Sequence, residues 1–527
     1  MFLIFVLILG GNLLWPSESI MFSQGKYRAA VVEFDALPEP FLFPHEVMLN
    51  NAEQYLKLIE RASEKRVDII VFPEDGLTTL DVAKKTPQKL ANYSIEVPDP
   101  AIYPNPRINE SYNKVLRMLS FAAHEHHMYI VINLIEKFKD IGFTFYYNTD
   151  VVFDRNGVIV VRYRKINLVN DPKLHPGKEL AKFRTDFGVT FGIFTCNDIL
   201  YRRPAVDIVQ DKNLTDIILP SAWYSETPFI QSLSIQAGYA RATGVNLLAA
   251  GLNYPPMYGG SGIYLHDGRI AELYISPSKS SKLIIQDVPK SRVKLSAIKC
   301  NNNSHPTPRF RLGGHLNEGM LNTPHEDMSL HTLHPLNFHD LETKVKLCNY
   351  NGEYCCRFRV VLQERPAFHD PKYMLALFYG VRTFGDTTIG VRSCGLIACL
   401  NKDKSTCGMR NHTSRSETIF KQISIRGNFD HGYNDNFDMP ITLTYEQLPL
   451  TEYTYCETLT DDKKAVLAEM RSTQPLTNLM SFGIFGRMYV YDGRNPGIIT
   501  NGVHSTLSNN VLVVCTLIMI LLVRKNV

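Results

Sequence analysis

Residues 191–200, "FGIFTCNDIL", carry an apolar run into a polar pair with a cysteine at the junction. A strand that ends on a reactive side chain points to an α/β sheet, where sites gather at the carboxyl ends of strands. Two more stretches repeat the arrangement: "IIVFPEDG" (69–76) delivers Glu74 just past an apolar run, and "VVRYRKINL" (160–168) delivers Lys165. Around them, strand-like runs alternate with helical patterns. "RAAVVEF" (28–34) reads as a strand, and Met48, Ala52, Tyr55, Ile59 and Ala62 then fall three or four apart on one helical face. "DIIVF" (68–72), a helix over Asn113–Glu125, "MYIVIN" (128–133) and a hairpin turning at Arg155-Asn156-Gly157 follow. "VTFGIFT" (189–195), "TDIILP" (215–220), a helix over Ile230–Thr243 and "VNLLAAG" (245–251) complete an α/β layered domain.

Farther along, the pattern changes. Residues 301–343, rich in Pro, His, Asn and Gly, read as a linker or surface insertion. Beyond them "CRFRVVL", "MLALFYGV", "KQISIRGNF", "PITLTYEQL" and "SFGIFGRMYV" are β-type, and the one helical pattern is at Asp462–Arg471. A smaller β-rich domain over residues 344–495 follows from that reading.

The ends point to secretion and a lipid anchor. "MFLIFVLILGGNLLWPSES" has the short apolar core of a signal peptide, assigned to residues 1–20; an N-terminal membrane anchor is the alternative. "VLVVCTLIMILLV" (511–523) is short for a membrane span, which needs about 20 apolar residues. With the polar spacer "NGVHSTLSNN" before it, residues 501–527 match a GPI-attachment signal, with attachment at Asn501 or Gly502 and Ser505 as a fallback. Arg524 and Lys525 leave a short single-pass segment as the other reading. Sequons stand at Asn92, Asn109, Asn213, Asn302 and Asn411.

Of the 10 cysteines, Cys515 lies in the tail, eight lie between 300 and 456, and Cys196 stands alone. In a secreted chain the clustered ones are expected to form disulfides, which leaves Cys196 a free thiol. A net charge of +4 over 527 residues, with no long basic tract, gives no reason to expect nucleic acid as a partner. "HEHH" (124–127) reads as a solvated helix end rather than a metal site, and "GGSG" (259–262) as a turn lining the site rather than a phosphate loop.

The three motifs resemble the Glu-Lys-Cys motifs of the nitrilase superfamily of carbon-nitrogen hydrolases. "YYNTDVVFDRNG" (146–157), "GIFTCNDIL" (192–200), "LPSAW" (219–223) and "GGSGIY" (259–264) resemble its secreted vanin and biotinidase branch. Cys348, Cys355-Cys356, Cys394, Cys399 and Cys407-Gly408 are similar to the C-terminal cysteine frame of that branch. The resemblance implies an α-β-β-α sandwich over residues 26–300, a vanin-type domain after the linker, and no metal or cofactor. It also implies a small-molecule amide substrate, with pantetheine first and biocytin second, or a catalytically idle adhesion or signalling protein on the same scaffold.

Its chemistry asks for these residue types. A free thiol, with a pKa of about 8.5, needs a base, and Glu74 would supply it. Cys196 would be the nucleophile, and the Lys165 ammonium with the Asn197 N–H would hold the oxyanion. Asn197 and Asp198 are also expected to cap a following helix. Asn133, Trp223 and Tyr224 match positions near the pocket of the family. Many members carry a second glutamate after the lysine; "KINLVNDPKLHPG" (165–177) offers Asp171 instead.

Overall fold

The computed structural model describes residues 25–37, 43–80, 86–255, 257–290, 323–352, 354–366, 370–410, 415–430, 436–459 and 465–499. The expected signal peptide, the attachment stretch with Asn501, Gly502 and Ser505, and the sequons at Asn302 and Asn411 lie outside the described residues.

In chain order the first domain runs β1 (Lys26–Glu33), α1 (Pro44–Ser63), β2 (Ile69–Val71), α2 (Pro87–Tyr93), β3 (Ser94–Ile95), α3 (Lys114–Glu125), β4 (Tyr129–Asp140), β5 (Phe143–Phe153) and β6 (Ile159–Arg164). It continues with β7 (Ala181–Arg184), β8 (Thr190–Ile193), β9 (Asp216–Ser221), α4 (Ser232–Thr243), β10 (Asn246–Gly251), β11 (Ser261–Tyr264), β12 (Ile270–Tyr274) and β13 (Lys282–Pro289). One sheet has the order β13-β1-β2-β4-β5-β6, with β3 beside β4, and the other β12-β11-β10-β9-β8-β7. Strand alternation builds the layers. Ala30, Val32, Ile70, Ile130 and Ile132 face α1 and α3 in one core, while Ala29, Val31, Ile69, Val71 and Val131 face the second sheet in another. The result is an α-β-β-α sandwich.

Helix α4 buries most of its residues, from Ser232 and Leu233 to Tyr239 and Thr243, because a further sheet packs on its outer side. That sheet belongs to the second domain, whose strands are β14 (Thr332–Pro335), β15 (Glu342–Cys348), β16 (Cys355–Leu362), β17 (Lys372–Phe384), β18 (Thr387–Cys399), β19 (Phe420–Asp430), β20 (Asn436–Thr444), β21 (Tyr453–Leu459), β22 (Ala465–Ser472), β23 (Leu479–Met488) and β24 (Gly497–Ile498). Sheet β14-β17-β18-β23-β20 packs one face on the first domain, through Met374, Ala376, Phe378 and Ile441. Its other face meets sheet β15-β16-β19-β22-β21 through Leu375, Leu377, Leu396 and Phe482. Disulfide Cys356–Cys394 joins the two sheets, while Cys348–Cys355 and Cys399–Cys407 close shorter loops.

Two expectations are corrected. Ala465–Ser472 is strand β22, paired on both sides with β19 and β21, and not a helix. Part of the expected linker is built into the fold: β14 pairs with β17, and the Thr227 N–H donates to Pro324 O at 2.9 Å.

Candidate active site

Glu74 lies three residues past β2, Lys165 directly follows β6, and Cys196 lies three residues past β8. All three are buried, at 3%, 3% and 6% exposure. The Lys165 Nζ donates to Glu74 Oε1 at 2.7 Å, Asn148 Nδ2 donates to the same oxygen at 2.8 Å, and the Ala222 N–H donates to Oε2 at 2.9 Å. Strand alternation explains why Lys165 points inward. Arg162 and Arg164 occupy the opposite face of β6 and pair with the buried Glu136 carboxylate at 3.5 and 2.6 Å. The Lys165 side chain is therefore part of the interior and not of a solvated basic face.

Burial pushes the Cys196 thiol well above the usual cysteine range; the Glu74 charge adds to the rise and the Lys165 ammonium opposes it. The resting nucleophile is consequently a protonated thiol that needs a base. Burial works against the charge on Lys165, yet the carboxylates, Glu74 first and then Asp171 and Asp198, hold its pKa well above the ordinary value. It stays an ammonium. Cys196 itself has φ +50°, a left-handed conformation that costs a non-glycine residue about 1–3 kcal/mol. The sharp turn it makes opens a short 3₁₀ turn, Cys196–Leu200.

Polar side chains beneath the triad hold this geometry. The Asp198 carboxylate accepts from the Thr195 N–H at 3.2 Å, from Tyr163 Oη at 2.7 Å, and from the Asn167 N–H and Nδ2 at 2.9 and 2.7 Å. It thus ties the cysteine turn to the segment that follows Lys165. Of the two residues expected to cap a helix here, Asp198 does hold an N–H at the turn's start. Asn197 turns its Nδ2 to Asn167 O at 3.0 Å and is no cap. Asn133 is fully enclosed: its Oδ1 accepts from the Asp75 N–H at 3.1 Å, and its Nδ2 donates to Asn148 Oδ1 at 2.6 Å and Asp150 Oδ1 at 2.8 Å. It positions Asn148 and faces no open space, contrary to its expected place in the pocket. Thr195 Oγ1 closes the network on Asp150 Oδ2 at 2.7 Å.

Trp223 is buried and donates through Nε1 to Ile230 O at 3.2 Å, while its ring lies 6.3 Å from Phe384 of the second domain. Tyr224 is 38% exposed and packs edge-on against Tyr258 at 5.5 Å. Burial above all, with the nearby Asp75 and Glu74 carboxylates adding to it, pushes the Tyr258 phenol up to about 12. Asp171 is half-buried on the Lys165 loop. The "GGSG" turn wraps a different carboxylate, Glu33, whose Oε2 accepts from the Gly260 N–H at 3.1 Å and from Ser261 Oγ at 2.5 Å.

Asn148, Asp150, Asn167 and Tyr258 escaped the sequence reading. For the first two a signal existed, because Asn148 and Asp150 are two apart on the inward face of β5, just before the apolar run Val151–Phe153. Among the described residues no group of three metal-ligating side chains occurs, and no helix is long and apolar enough to cross a membrane. Asn92, Asn109 and Asn213 are exposed.

The chain is similar to known proteins along most of its length. The carbon-nitrogen hydrolase family matches residues 48–297, and the vanin C-terminal domain family matches residues 322–492. The chain is 29% identical over 535 residues to vanin-like protein 2 of Drosophila melanogaster, covering 93% of this chain and 94% of the relative. It is 29% identical to the pantetheinase of Bos taurus, covering 78% of this chain and 81% of the relative. With the biotinidase of Homo sapiens the identity is 31%, over 74% of this chain and 76% of the relative. A solved structure, Nit3 of Saccharomyces cerevisiae, aligns with a TM-score of 0.41 and 18% identity over 50% of this chain and 90% of its own.

Proposed function

Because the chain belongs to the vanin and biotinidase branch of the carbon-nitrogen hydrolases, we propose that it is a pantetheinase-like amidase that cleaves pantetheine to pantothenate and cysteamine outside the cell. The observation that carries the reading is the Glu74 carboxylate, gripped by Lys165 at 2.7 Å in the same buried site as the free Cys196 thiol.

The residues then act in sequence. Glu74 takes the proton from Cys196 Sγ as the sulfur attacks the amide carbonyl carbon. The carbonyl electrons move onto oxygen, where the Lys165 ammonium and the Asn197 N–H stabilise them, at roughly 3–4 kcal/mol per donor. Collapse of the oxyanion breaks the carbon-nitrogen bond, Glu74 returns its proton to the departing amine, and a thioester remains on Cys196. Glu74 then deprotonates a water that attacks the thioester. Loss of the acid frees the sulfur, which recovers the proton from Glu74.

The anchor-like tail and the 29% identity to bovine pantetheinase favour pantetheine, while the 31% identity to human biotinidase makes biocytin the second substrate to test. The same reading places the protein on the extracellular face of the membrane, held by a lipid at Asn501 or Gly502 and glycosylated at the five sequons. Release from cells by a phosphatidylinositol-specific phospholipase tests the anchor. The substrate test is incubation of the purified protein with pantetheine, biocytin and other linear amides, with mass detection of the acid released. Pantothenate from the intact protein and none from Cys196→Ala is the expected result; no pantothenate from the intact protein would overturn the substrate assignment.

A further inference from the structure

The second domain reaches the active-site segments through the tip of one hairpin. Strands β17 and β18 turn at Gly385 and Asp386. The Asp386 Oδ1 accepts the Asn170 N–H at 2.7 Å, on the segment that begins at Lys165. Asn170 sits at φ +61° and Gly385 at φ +59°, so two left-handed residues meet face to face. A Cβ on Gly385 would lie 2.8 Å from Asn170 Nδ2 and closer still to Val169.

One residue back, Phe384 is buried, with its ring 6.3 Å from that of Trp223. Trp223 directly follows Ala222, whose N–H holds Glu74 Oε2 at 2.9 Å. Two residues farther back, the Arg382 guanidinium pairs with Glu226, just past Trp223, and with Glu326 at 2.8 Å. The hairpin therefore touches both segments that flank the triad, one behind Lys165 and one behind Glu74.

We propose that Asp386, Gly385 and Phe384 are positioning residues for the amidase, supplied by the second domain, which hold the Lys165 and Trp223 segments at the spacing that the oxyanion requires. The inference rests on the amidase reading for its rate prediction. Its physical basis is separate: Lys165 is fixed from below by Glu74, and its segment by Asn167 on Asp198, but from outside the first domain the loop is clamped by Asp386. Small displacements of a catalytic group are costly, on the order of a hundredfold for 1 Å. An ammonium that binds the developing oxyanion acts in the transition state, so its displacement lowers kcat while leaving KM nearly unchanged.

The test uses the full-length protein and the variants Asp386→Ala, Gly385→Ala and Asp386→Asn. Asp386 is exposed, so its truncation leaves the core intact, and Asn keeps the Oδ1 acceptor. We expect kcat on the best amide to fall about tenfold or more in Asp386→Ala and Gly385→Ala with KM within about twofold, and Asp386→Asn to restore the wild-type rate. Alkylation of Cys196 by iodoacetamide, which needs no substrate assignment, is expected to slow in the same two variants, because displacement of the ammonium raises the thiol pKa further. Rates of hydrolysis and alkylation within about twofold of wild type in both folded variants would overturn the proposal. A wild-type protein that cleaves no amide would instead overturn the amidase reading, and the alkylation rates would still decide whether the hairpin positions the site.

Discussion

At Glu74 and Lys165 two opposite charges share a site with 3% exposure each, so each is tolerable only while the other is present. Removing one partner of a buried pair leaves an uncompensated charge, at a cost of about 3–5 kcal/mol. Lys165→Met and Glu74→Gln are each expected to lower stability by that order in urea unfolding. The double variant is expected to recover part of the loss, because no lone charge remains. Additive losses in the double variant would show that the pair is not coupled as the 2.7 Å contact implies. Activity follows a different rule. Glu74→Gln keeps the shape and two hydrogen-bond partners but cannot accept the thiol proton, so kcat should fall by about 10²–10⁴-fold. Retained activity in that variant would remove Glu74 from the base role.

At the scale of elements, helix α4 decides how the second domain seats. Gly238 faces Pro440 O of β20 so closely that a Cβ would fall inside contact distance. Helix propensity alone favours Gly238→Ala by about 0.8–1 kcal/mol. Overpacking against backbone costs about 1–3 kcal/mol, and it should win. A lower urea midpoint for Gly238→Ala is expected; a higher one would mean that the helix can shift away from β20. The same contest between local preference and packing explains what was legible in the sequence. Alternation and 3.6-residue spacing were enough for β1, α1, α3, β4 and the β5–β6 hairpin, since each buries one periodic face. Glu74, Lys165 and Cys196 stood out because each ends an apolar run with a reactive group. Segment 462–471, "DKKAVLAEMR", has the composition of a helix, but from Ala465 on, backbone pairing with β19 and β21 overrides propensity. The roles of Asn133 and Asp198 depend on bonds between residues far apart in the chain, which no local pattern encodes.

Across the whole molecule, buried acids set the dependence of stability on pH. Burial lifts Asp150 to about 8 and Glu33 to about 7, and hydrogen bonds from Asn133 and Thr195, or from Ser261, Gly260 and Asn253, offset only part of the rise. In the unfolded chain such groups titrate near 4. Between pH 4 and these raised values the folded protein holds protons that the unfolded chain has released, so stability falls as pH rises through the window and levels off above pH 8. Histidines oppose this only at lower pH. Burial lowers His331 to about 3, so below about pH 6.5 the unfolded chain binds a proton there that the folded protein refuses. Above pH 6.5 the acids dominate, and each retained proton changes stability by about 1.4 kcal/mol per pH unit. The protein should therefore be more stable at pH 6.5 than at pH 8, by on the order of 2 kcal/mol in urea unfolding. Asp150→Asn, which has no proton to lose, should flatten the slope by close to one proton. A wild-type stability that is constant or rising over this interval would show that Asp150 and Glu33 are ionised in the folded state, and that the network under the triad is held by charge instead of by shared protons.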